Sequence, residues 1–389
     1  MSEMQQTLKN DICFSGKGIH TGVKTNMRLL PATEDTGIVF VRTDLEGKPI
    51  IQADISNLLS TNRSTCLKQG IAEIHTVEHI LASIIGNGID NLIIEVDNIE
   101  IPILDGSAKE FSEKILESGV RIQDCKRKYF EIKKELKYFD KESGTEIIAS
   151  PAKSYIIDVS IDYESKILGI QNASLSSIKN FNTEIASSRT FCFLHELEYL
   201  LSKKLVKGGD INNAIVVVEK EISEDALLNL KKEFNKNDIS VNEQGYLNNL
   251  SLRYVNEPAR HKLLDVIGDL SLLGIRIKGK ITAYKPGHKN NTKFAKYLKK
   301  IMKEEINKTA PKIDFTKEPL YNKEKIKSIL PHRDPFLFID EIREIGDDYI
   351  VGVKFVKDSE DYFKGHFPQE PVMPGVLQLE TMAQTGGVL

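Results

Sequence analysis

Residues 75–88 read HTVEHILASIIGNG, and the role of the two histidines in this stretch decides which fold the chain has. His75 to His79 fit H-x-x-E-H, the pattern of one class of zinc peptidase. Positions four apart share a helical face. A helix through all five residues would let both histidines hold one metal while Glu78 activates its water. The apolar run that follows predicts a helix ending at glycine. A second stretch competes for the metal: NEPARHKLLDVIGDLSLLG, residues 256–274. Pro258 there suits a first helical turn. His261, Asp265 and Asp269 fall at i, i+4 and i+8 on one polar stripe, and Leu263, Leu264, Val266, Ile267 and Leu270 cover the rest. Catalytic zinc favours three N/O ligands and one open position. Two sets fit: His75 and His79 with an unassigned acid, or His79, His261 and Asp265 with Glu78 as base. Spacing leaves both open.

The rest of the chain bounds the setting. Its 389 residues suggest two to three domains. A hydrophobic content of 40% and a charged content of 28% are those of a globular protein that buries real cores. The net charge of −3 gives no global basic field for nucleic acid or an anionic membrane. Cys13, Cys66, Cys125 and Cys192 are scattered and form no C-x-x-C pair, which reads as reduced thiols in a cytoplasmic protein. The polar start MSEMQQTLKN has no apolar signal core, and no apolar run approaches the ~20 residues that span a bilayer.

Short apolar runs bounded by turn formers predict strands at GIVFVRTD and DNLIIEVDN. EIPILDGSAKEFSEKILESG predicts a strand end, a turn, and an amphipathic helix capped near Ser107. DCKRKYFEIKKELKYFDKES alternates aromatics and isoleucine with lysine, as an exposed strand pair would. Beyond it the style repeats, with strands near 145–162 and 214–219 and helices near 194–206, 223–234 and 258–273. No sequence repeat is visible, but the order of elements implies two related α+β halves, residues 1–125 and 126–300. Residues 301–320, rich in lysine with little apolar periodicity, read as a linker. A new module starts near Tyr321 and stops at ETMAQTGGVL inside a helical pattern, as an incomplete module would.

Several separated motifs carry a resemblance: FSGKGIHTG, TVEHILAS, GIDNLIIEV, EIPILDGSA, SRTF, HKLLDVIGDL with LLG, and AYKPGH. Over roughly residues 5–300 the chain resembles the UDP-3-O-acyl-N-acetylglucosamine deacetylases, zinc amidases of lipid A synthesis. The resemblance implies two sheet-plus-helices domains packed as a β-α-α-β sandwich. It implies a Zn2+ ion (or iron) held by His79, His261 and Asp265, with Glu78 as general base, and it gives His75 no ligand role. The implied reaction is hydrolysis of an N-acetyl group. Thr190 of R-T-F would stabilise the oxyanion. His288 of KPGH would stabilise charge and protonate the leaving amine, with Asp269 orienting it; the sequence leaves Glu78 open as the other source of that proton. Lys262 is implied in substrate contact near the sugar, Lys285 in gripping the diphosphate, Phe191 beside the glucosamine or nucleotide, and His20 in lining the cleft. An insert at about residues 165–200 would pass the acyl chain. The chain departs from the family pattern at Arg63 and Ser64, where an apolar residue and a cysteine are familiar, and at His195, where an arginine is.

LPHRDPFLFID followed by GHFPQEPVMPGVLQLETMAQTGGVL resembles the (3R)-hydroxyacyl-ACP dehydratases, which have the hot-dog fold. The resemblance covers residues 321–389 and implies His366 on a loop and Glu380 on a helix as the catalytic pair, meeting across a dimer. Helix-start amides near Gly375 would polarise a thioester. Acyl carrier protein is the implied partner, and a homo-oligomer is implied for a complete hot-dog. So short a piece buries little apolar area, so dehydratase activity is expected to be absent or crippled in these 389 residues. Two other functions are open to this sequence: an inverted zinc peptidase using His75 and His79, and a non-catalytic scaffold that holds the nucleotide sugar.

Overall fold

Alternation of apolar and polar residues builds two sheets with the same topology. The first comprises β1 (Ile12–Lys17), β2 (Lys24–Pro31), β3 (Ile38–Arg42), β4 (Ile50–Gln52) and, after helix α1 (Glu78–Gly86), β5 (Leu92–Val96), with helix α2 (Lys109–Ser118) following. Its spatial order is β1-β2-β5-β3-β4. The second comprises β6 (Leu136–Asp140), β7 (Thr145–Ser150), β8 (Tyr155–Asp162), β9 (Ile170–Leu175) and, after helix α3 (Glu257–Ser271), β10 (Arg276–Tyr284), with helix α4 (His288–Lys308) following. Its order is β6-β7-β10-β8-β9. In both sheets the central strand is parallel to one neighbour and antiparallel to the other. Ile94 faces Phe40 (parallel) and Leu29 (antiparallel) in the first sheet, and Ile281 faces Ile157 and Ala149 likewise in the second. The two sheets therefore share one strand order.

The computed structural model describes residues 3–197, 207–209, 213–220, 222–247, 250–308, 311, 313–346, 349–367 and 369–389, with residues 306–308 by their backbone alone. The helix expected near 194–206 lies outside the described residues from 198 onward. The chain divides into two compact units, Met1–Lys303 and Glu304–Leu389.

In the first unit one core takes side chains from both sheets and from α1 and α3. Helix α1 is buried nearly all round, as a helix in the middle of a core must be. Phe40 and Phe111 are fully buried, each worth roughly 1.5–3 kcal/mol of burial. α1 packs directly on α3. The crossing point is Gly268, where an added Cβ would lie 2.2 Å from the carbonyl oxygen of Glu78. Each half carries an insertion before its central helix. In the first it is a small sheet of Leu58–Ser60, Cys66–Gln69 and Ala72–Ile74. In the second, Phe191–Phe193 pairs in parallel with Ile215–Val217. That insertion has its own apolar clusters, which include Leu194, Leu197, Val216 and Leu230, and a helix, Glu224–Glu233, capped by Ser223.

Three local expectations change. The alternating stretch after Asp124 does not form a strand pair with itself. Val120–Lys126 joins Met4–Leu8, Tyr129–Glu131 joins the start of β10, and β6 joins β7. Alternation marks strands but does not choose their partners. Helix α4 runs eight residues into the stretch read as a linker, because Phe294, Leu298, Ile301 and Met302 continue an apolar face. His75 does not lie on a helix: it makes a strand bridge to Glu100, and α1 begins at Glu78.

The second unit contains a helix, Lys323–Ile329, an antiparallel pair, Glu341–Ile345 with Ile350–Val353, and the helix Gly375–Gly386. Ile326, Leu330, Leu337, Ile339, Ile342 and Val388 form its core. Val376, Leu379 and Met382 on the last helix are exposed.

Candidate metal and catalytic site

The start of α1 and the first two-thirds of α3 supply the polar residues of one buried cluster. The imidazoles of His79 and His261 stand edge to face with ring centroids 5.0 Å apart. Asp265 Oδ1 lies 3.9 Å from His79 Nε2 and 3.4 Å from His261 Nε2. These three offer ligand atoms that all lie within 4.8 Å of one another, the one such group among the described residues. His75 is outside it, 3.5 Å from Glu73. Its separation from His79 has a local cause: Thr76 takes φ 60, a region unusual for a β-branched residue, and turns the chain just before α1 starts. The Thr76 hydroxyl donates to Glu100 Oε1 at 2.9 Å, which holds that turn.

The cluster fits a metal by two observations. Asp265 Oδ1 is buried without a hydrogen-bond partner, a costly state for a carboxylate oxygen unless a cation meets it. The Nδ1–H of His261 donates to the Ser188 carbonyl at 3.1 Å, which leaves the Nε2 lone pair for a metal, the usual way a ligand histidine is oriented. Two imidazole nitrogens and one carboxylate oxygen suit zinc with a position left over.

Around this set sit the charged groups. Asp265 Oδ2 accepts from Lys262 Nζ at 2.8 Å. Burial opposes the Asp265 charge, but His261, Lys262, His288 and His79 outweigh it and hold the carboxyl well below its usual range. Burial, followed by the neighbouring His261, pushes His79 down to about 3, so it is a neutral ligand-type imidazole. Glu78 is 3% exposed, and burial pushes its carboxyl up to about 7 against the pull of His288. Its Oε2 accepts from the Thr65 N–H at 3.0 Å. Burial alone would lower His288, but Asp269, Asp265 and Glu78 raise it to about 9. His288 Nδ1 is 3.0 Å from Asp269 Oδ2, and its Nε2 is 3.8 Å from both Glu78 Oε1 and Asp265 Oδ2. Asp269 is fully buried and also accepts from Thr65 Oγ1 at 2.5 Å and Asn291 Nδ2 at 2.9 Å.

A cavity of about 360 Å³ opens onto this cluster and is lined by His20, Glu78, Thr190, Phe191, Lys262 and His288 among others. Phe191 stands edge-on to His261 and Tyr163, with Lys262 Nζ 5.7 Å from its ring centre. Arg63 lines the same cavity. Lys285 is not among the lining residues. It pairs with Asp162 at 3.3 Å and Glu164 at 3.5 Å. His195 is exposed and stacks on Phe193.

Three residues that the sequence pattern did not flag fix the cluster from behind. Thr65 ties Glu78 to Asp269. Glu100, fully buried, accepts from the His20 and Thr21 amides at 3.0 and 2.8 Å and from two threonine hydroxyls. A Cβ on Gly18 would fall 2.1 Å from the Glu100 carboxylate, which explains a glycine in GKGIHTG. Glu257, also fully buried, accepts from the Arg189 amide and side chain and from the Arg253 amide. It thereby locks the strand entry beside Thr190 to the first turn of α3. An acid at the first turn of a predicted helix was the available signal for Glu257; Thr65 and Glu100 sit in segments without periodicity.

In the second unit, His366 Nδ1 donates to the Val372 carbonyl at 2.9 Å, leaving Nε2 free. Glu380 Oε1 accepts from Gln384 Nε2 at 2.9 Å and lies 3.6 Å from His332 Nε2. Among the described residues no hydrogen bond or ion pair joins His366 to Glu380 within one chain.

Comparison with known proteins agrees with this division of chemistry. The profile of a family described as UDP-3-O-acyl N-acetylglycosamine deacetylase matches residues 5–239 and 235–300, and that of a FabA-like domain matches residues 330–389. The chain is 46% identical over 387 residues to the bifunctional enzyme LpxC/FabZ of Porphyromonas gingivalis, covering 100% of this chain and 84% of the relative. The protein of the same name in Bacteroides thetaiotaomicron is 44% identical, covering 99% of this chain and 83% of the relative. A UDP-3-O-acyl-N-acetylglucosamine deacetylase of Syntrophus aciditrophicus is 39% identical over 295 residues, covering 76% of this chain and 85% of the relative.

Proposed function

Because the chain belongs to the UDP-3-O-acyl N-acetylglycosamine deacetylase family and carries a FabA-like domain behind it, we propose that it hydrolyses the N-acetyl group of UDP-3-O-acyl-N-acetylglucosamine, releasing acetate, in lipid A biosynthesis. The reading assigns Zn2+ to His79, His261 and Asp265, and the observation that carries it is the orphaned Asp265 Oδ1 between the His79 imidazole and the His261 imidazole that the Ser188 carbonyl orients, beside Glu78. The ion would supply Lewis-acid chemistry there: polarisation of the acetamide carbonyl and a lowered pKa for water.

The chain's own groups do the rest. Glu78, held by the Thr65 amide, takes a proton from the attacking water. Thr190, on the cavity wall, donates to the oxygen that gains charge. His288, kept protonated by Asp269, faces the same space and gives the departing amine its proton. Lys262 and Phe191 contact the sugar side of the substrate, and His20 borders it. Lys285 engages a diphosphate only after exchanging Asp162 and Glu164 for it. Residues 1–125 and 126–300 form the two halves of a sheet-helix-helix-sheet sandwich, and residues 321–389 form part of a hot-dog dehydratase module. His366 and Glu380 would be the pair of that module that acts on a (3R)-hydroxyacyl chain delivered by acyl carrier protein, and dehydratase activity is expected to be absent or crippled in these 389 residues.

Acetate release from UDP-3-O-acyl-N-acetylglucosamine tests the reading. We expect turnover that falls about 100-fold or more on chelator dialysis and returns with added zinc. Undiminished turnover without metal would remove the metal from the mechanism. Tight binding of the nucleotide sugar with no acetate would instead make the protein a scaffold.

A further inference from the structure

A second cavity, of about 510 Å³, lies on the first unit and shares no lining residue with the catalytic one. It sits at the C-terminal ends of α1 and α3. Its floor is apolar, formed by Ile85, Ile178, Ile267, Leu270 and Ile275. Its rim carries Lys126, Lys153, Lys179 and Lys278, and among the described lining residues Glu3 is the one acid. None of these four lysines has a carboxylate partner among the described residues.

Two arginines in the wall have a structural task and are not counted. Arg276 donates to the Ile85 and Ile89 carbonyls and to Asp90, and Arg127 donates to the Gly88 carbonyl and Asp90. They cap the carbonyl end of α1, where cations are favoured, and that offsets the negative helix end next to the cavity. Lys278 Nζ lies over the Tyr129 ring, 4.5 Å from its centre, and no carboxylate among the described residues pairs with the lysine charge of the rim. Tyr155 also lines the cavity, and its buried hydroxyl has neither a protein partner nor solvent contact. Ser154 and Ser177 add further hydroxyls. The wall is thus cationic and hydroxyl-bearing above a hydrocarbon floor.

We propose that this cavity is a second binding site, for an anionic amphiphile whose phosphate-type head meets the lysine rim and the serine hydroxyls while a short alkyl body lies on the isoleucine and leucine floor. A purely inorganic anion would leave that floor wet, and a neutral alkyl chain would leave the lysines unmatched. The occupant touches the same two helices that carry His79 and His261, at their opposite ends.

Calorimetric titration of the full chain with octyl phosphate, below its micelle concentration, tests this. Saturable binding is expected, weakened by about tenfold or more in the double variant Lys153→Glu/Lys179→Glu. Phe191→Ala, on the catalytic cavity, should leave it unchanged, and the lysine variant should keep the parent kcat and KM for acetate release. The proposal is overturned if no saturable binding occurs, or if Phe191→Ala abolishes binding that the lysine variant keeps. Inorganic phosphate or octanol binding as tightly as octyl phosphate would refute the amphiphile. Binding to phosphatidylglycerol vesicles without binding of the monomer would assign the lysines to a membrane surface.

Discussion

Glu78→Gln lowers kcat for acetate release by roughly 10²–10⁴-fold, the usual worth of a positioned general base, and leaves the metal content of the protein unchanged. The substitution keeps the volume of the side chain, and a glutamine oxygen still accepts from the Thr65 amide that now holds Glu78 Oε2 at 3.0 Å. What it removes is the ability to take a proton. Glu78 is not one of the three clustered ligand-type residues, so metal binding is retained. Steady-state kinetics with metal analysis on the same sample measure both quantities. A kcat within about threefold of the parent would remove Glu78 from proton transfer. Loss of metal at parent-like folding would make it a ligand.

The second large effect concerns the helix crossing. Alanine normally stabilises an exposed helix interior over glycine by about 1 kcal/mol, but at Gly268 the sign reverses. The new methyl would lie 2.2 Å from the Glu78 carbonyl oxygen, 2.8 Å from its carbonyl carbon and 2.9 Å from its Cα. These are backbone atoms, so no side-chain rotation relieves the clash and α1 must move away from α3. Overpacking of this kind costs about 1–3 kcal/mol or more. The displaced segment carries Glu78 and His79, so activity and metal affinity fall along with stability. Gly268→Ala is therefore expected to lower the urea midpoint by an amount corresponding to about 3 kcal/mol and to cost more than tenfold in kcat. A variant as stable as the parent would mean that α1 and α3 do not pack this closely.

The sequence exposed different parts of this design unequally. Helix α3 was legible because its polar stripe, His261, Asp265 and Asp269, repeats every four residues against an apolar background, and its bounds came within a few residues of those found. The strands were legible by alternation. Their partners were not, since β10 is inserted between strands more than a hundred residues earlier, and only tertiary packing selects that order. His75 misled for a local reason. The five-residue pattern presumes a helix that starts before His75, whereas Thr76 at φ 60 starts it three residues later. Thr65 and Glu100 were invisible as site residues, and Glu257 showed only as an acid at a helix start, because their partners are remote. Thr65 reaches Asp269 across 204 positions, and Glu257 reaches Arg189 across 68. No local periodicity encodes such contacts. The resemblance supplied what spacing left open, the choice of His261 and Asp265 over His75.

Zinc per chain after dialysis decides between these ligands, measured in the parent, His261→Ala and His75→Ala, each shown to be folded by circular dichroism. His261→Ala is expected to lose the metal while His75→Ala retains the parent content. Retention by His261→Ala together with loss from His75→Ala would contradict that choice and put the metal on the HTVEH segment.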